Sequence, residues 1–419
     1  MSRWFKLDNA AKVFPSISND RRPNVFRLSF ELIEDIDPDT LQVALNMTID
    51  RFKSLKVKLK RGLFWYYLDS NEEVMEVSEE SPFICKRITR KENKGYLFRV
   101  VYFRNRITVE IFHSLTDGTG GLELLKAICY NYLVLRGYEL DSENLILTEV
   151  ETTYEELQDS YLKNYDNKVK SAPRDVKAVK LKGTLYEDSW LSLIVGNCDL
   201  NKVKEVAKSY GATITEFLCA CLIKTAMKTT YMFNNDKHPF QMLVPVNLRK
   251  VFPSKTLRNF SLVISTGVKV GNELSFEDIV KIVKEDFAYG LRKEYLHGQI
   301  IANVVLEKNI FMRLTPLILK EIAMKIGFNA WGDKINSLTI SNLGRVELPS
   351  SMVPLVKKVV FVNGASSTIP INCGVVSHGN NLVISFTSSI IERDFQREFF
   401  RILTSYGIDV VIESNELEV

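Results

Sequence analysis

An α/β fold of the α+β kind, organised in two lobes, is predicted by three features of the chain. Short segments with an apolar residue at every second position alternate with longer segments at helical spacing. The 419 residues, 46% of them hydrophobic, are ample for a large core and exceed what one lobe ordinarily holds. Between about Asp141 and Asp188 apolar periodicity fades and charge predominates, so the expected division is 1–150, a connection over 151–188, and 189–419. Each lobe should hold a mixed or largely antiparallel sheet flanked by helices.

In order, Asn24 to Leu32 places Phe26, Leu28 and Phe30 between polar residues and suits a half-buried strand. Asp37-Pro38-Asp39-Thr40 then supplies a cap and an early proline for a helix carrying Leu41, Ala44, Leu45, Ile49 and Phe52 on one face. Short strands are expected at Val57–Leu59, Leu63–Leu68 and Val74–Val77, and a hairpin from Tyr96–Phe103 and Arg106–Phe112. Leu122 to Leu135 reads as a helix ending at Gly137. Lys168 to Lys182 is basic, and a solvated crossover is favoured there over a phosphate-binding stripe. The second half opens with a strand at Leu191–Cys198 and a helix at Asn201–Ser209, and Thr213-x-x-Glu216 forms a capping box for a further helix. Strands follow at Gln241–Val246 and Leu262–Val268, then helical periodicity through Phe276–Leu296 and Leu314–Ile326. Strands are expected near Ser337–Ile340, Val359–Val362 and Leu382–Thr387, and a closing helix over about Glu392–Thr404.

Composition narrows the function. The 55 basic and 51 acidic side chains leave a net charge of only +4 with both signs interspersed, which does not call for nucleic acid. Six cysteines without a Cys-x-x-Cys pair read as buried free thiols of a reducing compartment. No stretch approaches the roughly 20 apolar residues of a membrane span, so a cytoplasmic location is expected. His238, His297 and His378 lack metal-ligand spacing, and no metal site is expected. Gly118, Gly120 and Gly121 do not supply a dinucleotide fingerprint. Trp65, Tyr66 and Tyr67 read as packing residues rather than a base-stacking platform.

The chemistry is expected in Glu110–Gly121, EIFHSLTDGTGG. The spacing His-x-x-x-Asp-Gly sets His113 at a strand end and Asp117 and Gly118 in a glycine-rich turn. An imidazole titrates near working pH and can accept a proton from a hydroxyl or amine and return it. Asp117 can brace the loop or orient the imidazole; spacing leaves both open. No Gly-x-Ser-x-Gly elbow is present, and Ser114, next to His113 on an extended segment, points away from it.

His113-Ser114-Leu115-Thr116-Asp117-Gly118 resembles the active-site motif of the coenzyme-A-dependent acyltransferase superfamily, which includes chloramphenicol acetyltransferase, plant BAHD acyltransferases, wax ester synthases and condensation domains. Pro245-Val246-Asn247-Leu248-Arg249 and Thr339 to Pro349 (TISNLGRVELP) resemble its second-lobe segments in the same order, and WFKLDNAAKVFP and RGLFWYYL are similar to bacterial alcohol acetyltransferase-like proteins. The resemblance implies two chloramphenicol-acetyltransferase-like lobes with an active-site channel between them. It implies His113 as general base, Asp117 as a structural residue paired with Arg249, and acyl-CoA as co-substrate rather than a bound cofactor. Acetyl transfer to a small or lipid-like alcohol by direct attack is the simplest activity. An N-acyltransferase, a condensation-type enzyme fed by an acyl carrier protein, and a non-catalytic binding module are the alternatives. Ser341 and Asn342 are candidate oxyanion or substrate contacts on chemical type. Two departures stand out: Phe112 occupies the place of a second histidine common in relatives, and the plant Asp-Phe-Gly-Trp-Gly motif is absent, with Phe328 to Gly332 (FNAWG) only an echo that is expected to pack as core.

Overall fold

In the computed structural model, residues 4–148, 151–166, 177–233, 238–269, 273–328 and 332–415 are described. Val25–Leu32 is a strand because its apolar side chains alternate, and it pairs antiparallel with Arg106–Phe112, the strand that delivers His113. The first-lobe sheet runs Val356–Asn363, Val25–Leu32, Arg106–Phe112, Phe98–Phe103, Ser78–Glu79. Only its last pair is parallel. Pro38–Ile49 and Gly118–Leu135 pack together on this sheet, with Leu41, Ala44 and Leu45 of one and Leu124, Leu125 and Ile128 of the other buried in the same core. Asp37 caps the first of these helices by accepting from the Thr40 amide at 3.1 Å. A small sheet of Trp4–Lys6, Tyr66–Ser70 and Val57–Arg61 completes this side.

The second lobe is a mixed seven-stranded sheet in the order Ser261–Val268, Phe240–Asn247, Leu338–Arg345, Ile371–His378, Asn381–Ser388, Ser192–Asp199, Val410–Ser414. Leu338–Arg345 lies parallel to both its neighbours; the other pairs are antiparallel. Leu200–Ser209, Ile214–Lys228, Phe276–Gly290 and Asp394–Ser405 cover it, and the Thr213–Glu216 capping box is formed. Val356–Asn363 lies within the 189–419 span yet pairs antiparallel with Val25–Leu32, so the first-lobe sheet is finished by a strand from late in the chain.

Several elements differ from expectation for identifiable reasons. Val74–Val77 is not a strand: the Met75 carbonyl accepts from, and the Val77 amide donates to, the side-chain amide of Gln42, both at 2.9 Å. The helix expected over Phe276–Leu296 stops at Gly290, and a second begins at Lys293 and runs to Lys308, because Arg292 is extended. The periodicity of Leu314–Ile326 divides into Ile310–Leu314 and Leu317–Gly327 around Pro316, which disfavours helical backbone at Thr315 before it. Ile371–His378 is an unexpected strand, buried along its whole length and therefore without alternation. Trp4–Lys6 and Val410–Ser414 are unexpected edge strands. The basic stretch at 168–182 falls largely, and the FNAWG echo partly, outside the described residues. All six cysteines are buried and unbridged. Among the described residues no group of three or more potential ligands could hold a metal, and no single helix is long and apolar enough to cross a membrane.

Candidate active site

The strand Arg106–Phe112 ends at the junction of the lobes, where the His113 amide donates to the Asn24 carbonyl at 2.9 Å. The imidazole is half-buried, stacked on Phe14 with ring centroids 4.8 Å apart and met edge-on by Phe26 at 5.3 Å. Its Nδ1 lies 3.1 Å from Asn259 Oδ1, which arrives from the second lobe just ahead of Ser261–Val268. Asn259 Nδ2 donates to buried Asp8 Oδ2 at 3.2 Å. Because Asp8 takes the amide NH2 group, the Asn259 carbonyl oxygen is what faces His113, so Nδ1 carries the proton and Nε2 keeps its lone pair. Asp8 is held in turn by the Ala11 amide at 2.8 Å and by Arg258, whose Nε is 3.7 Å away. Burial pushes the His113 pKa below its ordinary value; a backbone hydrogen bond within the residue, the Asp117 charge and Asn259 act against that shift.

Asp117 makes no hydrogen bond to the imidazole and is fully engaged elsewhere. As N-cap of Gly118–Leu135 its Oδ1 accepts from the Thr119 and Gly120 amides at 3.2 Å each. Arg249 Nη1 donates to Oδ2 at 2.9 Å and Nη2 to Oδ1 at 3.2 Å, a bidentate pair, and the Phe260 amide adds a bond to Oδ2 at 2.8 Å. Arg249 spends its remaining donors on the Thr256 and Arg258 carbonyls and Asn247 Oδ1, at 3.0, 2.6 and 3.2 Å. Asn247 Nδ2 returns to Thr119 Oγ1 at 3.1 Å. The pair therefore ties the motif turn of the first lobe to the second.

Gly118 is the first residue of the helix rather than part of a free turn. A Cβ there would lie 2.6 Å from Leu343 Cδ2, so the glycine makes room for the strand Leu338–Arg345. That strand carries Ser341 and Asn342, and Leu343 brings it against the motif. Asn342 Nδ2 donates to Thr215 Oγ1 at 2.9 Å and its Oδ1 accepts from the Gly344 amide at 2.8 Å. Among the described residues neither Ser341 nor Asn342 is hydrogen-bonded to His113 or Asp117. Ser114 Oγ donates to the Ala11 carbonyl at 3.0 Å and is buried, with no role as a nucleophile open to it.

Asp8, Phe14, Arg258 and Asn259 were not singled out from sequence, although Asp8 lies in WFKLDNAAKVFP and Arg258-Asn259 directly precedes an expected strand. Trp65, Tyr66 and Tyr67, read as packing residues, line a cavity of about 690 Å³ with Trp4, Phe64 and Arg313. The cavity reaches Leu7 and Lys12, on either side of Asp8 and Ala11, but His113 does not line it.

No family model matches the sequence, and no curated protein matches it. Solved structures do. The chain is similar to polyketide synthase associated protein 5 from Mycobacterium tuberculosis, at 13% identity and a TM-score of 0.62, covering 96% of this chain and 97% of that one. It is similar to Fusarium graminearum TRI101, crystallised with coenzyme A and T-2 mycotoxin, at 11% identity and a TM-score of 0.63, covering 97% and 99%. The first condensation domain of the CDA synthetase gives 12% identity and a TM-score of 0.56, covering 96% of each chain. Over nearly its whole length, then, the chain has the two-lobed chloramphenicol-acetyltransferase-like fold that coenzyme-A-dependent acyltransferases and condensation domains share.

Proposed function

We propose that the protein is an acyltransferase that moves an acyl group, most simply acetyl, from coenzyme A to an alcohol, with His113 as general base. The observation that carries this reading is the Asp8–Asn259–His113 chain, which leaves Nε2 unprotonated on an imidazole held at the lobe junction. A pKa kept low by burial adds to the fraction of neutral base near pH 7. Nε2 takes the acceptor's hydroxyl proton as its oxygen attacks the thioester carbonyl. The C–S bond then breaks, and the imidazolium returns the proton to the departing thiolate. No covalent acyl-enzyme is needed, in keeping with the sequestered Ser114. Asp117 and Arg249 hold the motif turn and take no part in proton transfer. Ser341 and Asn342, on the strand that Leu343 sets against Gly118, are candidates for oxyanion or substrate contact.

The test is release of free thiol from acetyl-CoA and longer acyl-CoAs with a panel of alcohols and amines. Acceptor-dependent release should fall about 100- to 10,000-fold in a folded His113→Ala variant. Unchanged release would remove His113 from the mechanism. Turnover only with carrier-protein-bound donors would replace coenzyme A in the reading.

A further inference from the structure

The helix Leu317–Gly327 is built inside out. Its buried positions are Leu317 and Lys320. Lys320 Nζ donates to the Phe64 carbonyl at 2.9 Å and lies 3.6 Å from the centroid of the Trp65 ring, while Glu321 turns inward to Tyr66 and Arg61. Ile318, Leu319, Ile322 and Ile326 face outward, each more than half exposed. The preceding turn, Ile310–Leu314, presents Ile310, Phe311 and Leu314 in the same way, with Phe311 79% exposed. Leu63, 72% exposed, adjoins them, since its carbonyl accepts from the Leu317 amide at 2.8 Å. A helix on a water-facing surface carries its apolar stripe on the other side. Eight large apolar side chains in one patch call for an apolar neighbour.

The charge around the patch says which. Lys308, Arg313 and Lys325 are exposed in the same stretch of chain, Lys308 with its ammonium 3.8 Å from the centroid of the Tyr165 ring. The acidic residues in the same stretch are engaged: Glu307 with Lys12, Glu321 with Arg61, Asp333 with Arg22. We infer that this face docks on an anionic lipid surface, with the isoleucines, leucines and Phe311 entering the boundary between headgroups and acyl chains and the cations meeting lipid phosphates. A second copy seated face to face would bring two cationic rims together, which disfavours a dimer through this patch. Phe64 and Arg313 also line the 690 Å³ cavity, so docking brings that cavity to the lipid. The inference does not depend on the catalytic reading.

Flotation of the full chain with vesicles of phosphatidylcholine alone, and of phosphatidylcholine with phosphatidylglycerol, tests it. The protein should float with the anionic vesicles and much less with the neutral ones. Phe311→Ser/Ile318→Ser/Ile322→Ser should weaken partition roughly tenfold or more, since the lost contacts are those that enter the bilayer. Arg313→Ala and Lys325→Ala should each weaken it about fivefold, and added salt should act in the same direction. The substituted side chains are exposed, so thermal melts of the variants should match that of the parent. Failure of the parent protein to float, or flotation indifferent to the triple substitution, overturns the proposal. So does a dimer in sedimentation velocity that the triple substitution makes monomeric without any vesicle binding.

Discussion

The turn around Asp117 and the helix Leu317–Gly327 resolve the same conflict in opposite ways. Each sets charged side chains inside. At Asp117 every oxygen lone-pair direction is met by an amide or by Arg249, and the guanidinium's own donors are all taken, so the buried charges hold a geometry that joins the lobes. On the helix the inward lysine and glutamate are also paired, but the apolar side chains they displace are left facing out. A saturated buried network is complete by itself; an inverted helix is complete only against something else. Substitution should therefore hurt the first region in isolation and the second only in the presence of its partner.

Arg249→Ala should break the contrast most. It strands a buried carboxylate, and a loss of about 3–5 kcal/mol in unfolding free energy is expected, read as a lower denaturant midpoint. Asn259→Ala removes the group that holds the His113 tautomer and should lower kcat roughly 10- to 100-fold with little change in KM. Asn259 favours the protonated imidazole, so its loss lowers the His113 pKa further, and the acid limb of the pH–rate profile should move to lower pH. A shift to higher pH would mean that Asn259 acts in some other way. The smallest effect is expected from Ile318→Ser/Ile322→Ser: stability in solution should stay within about 0.5 kcal/mol, because little apolar contact is lost. A large drop in melting temperature there would mean that the patch is covered within the chain.

The same contrast marks what sequence could reveal. The strand–motif–helix run around His113 was legible because its signals are local: an alternating strand, a cap-competent aspartate, then small residues at a helix start. Arg249 could be linked to Asp117 only through resemblance. Asn259 lies 146 residues from His113 and belongs to no motif that spacing could flag, so its part in the site depends on the second lobe folding back. Ile371–His378 was missed because a strand buried on both faces has no period to detect. Periodicity did place helix around Leu314–Ile326, but a period tells that a stripe exists, not whether it points to the core or away from it.

The pairing of Val356–Asn363 with Val25–Leu32 has a consequence for how the molecule is made and moves. A nascent chain that has emerged only as far as the first-lobe strands carries a sheet with an open edge along Val25–Leu32, and that edge stays open until Val356–Asn363 has left the ribosome as well. The halves should therefore be poor candidates for expression as separate fragments. In the finished molecule the strand works as a weld, so any breathing between the lobes has to bend around it.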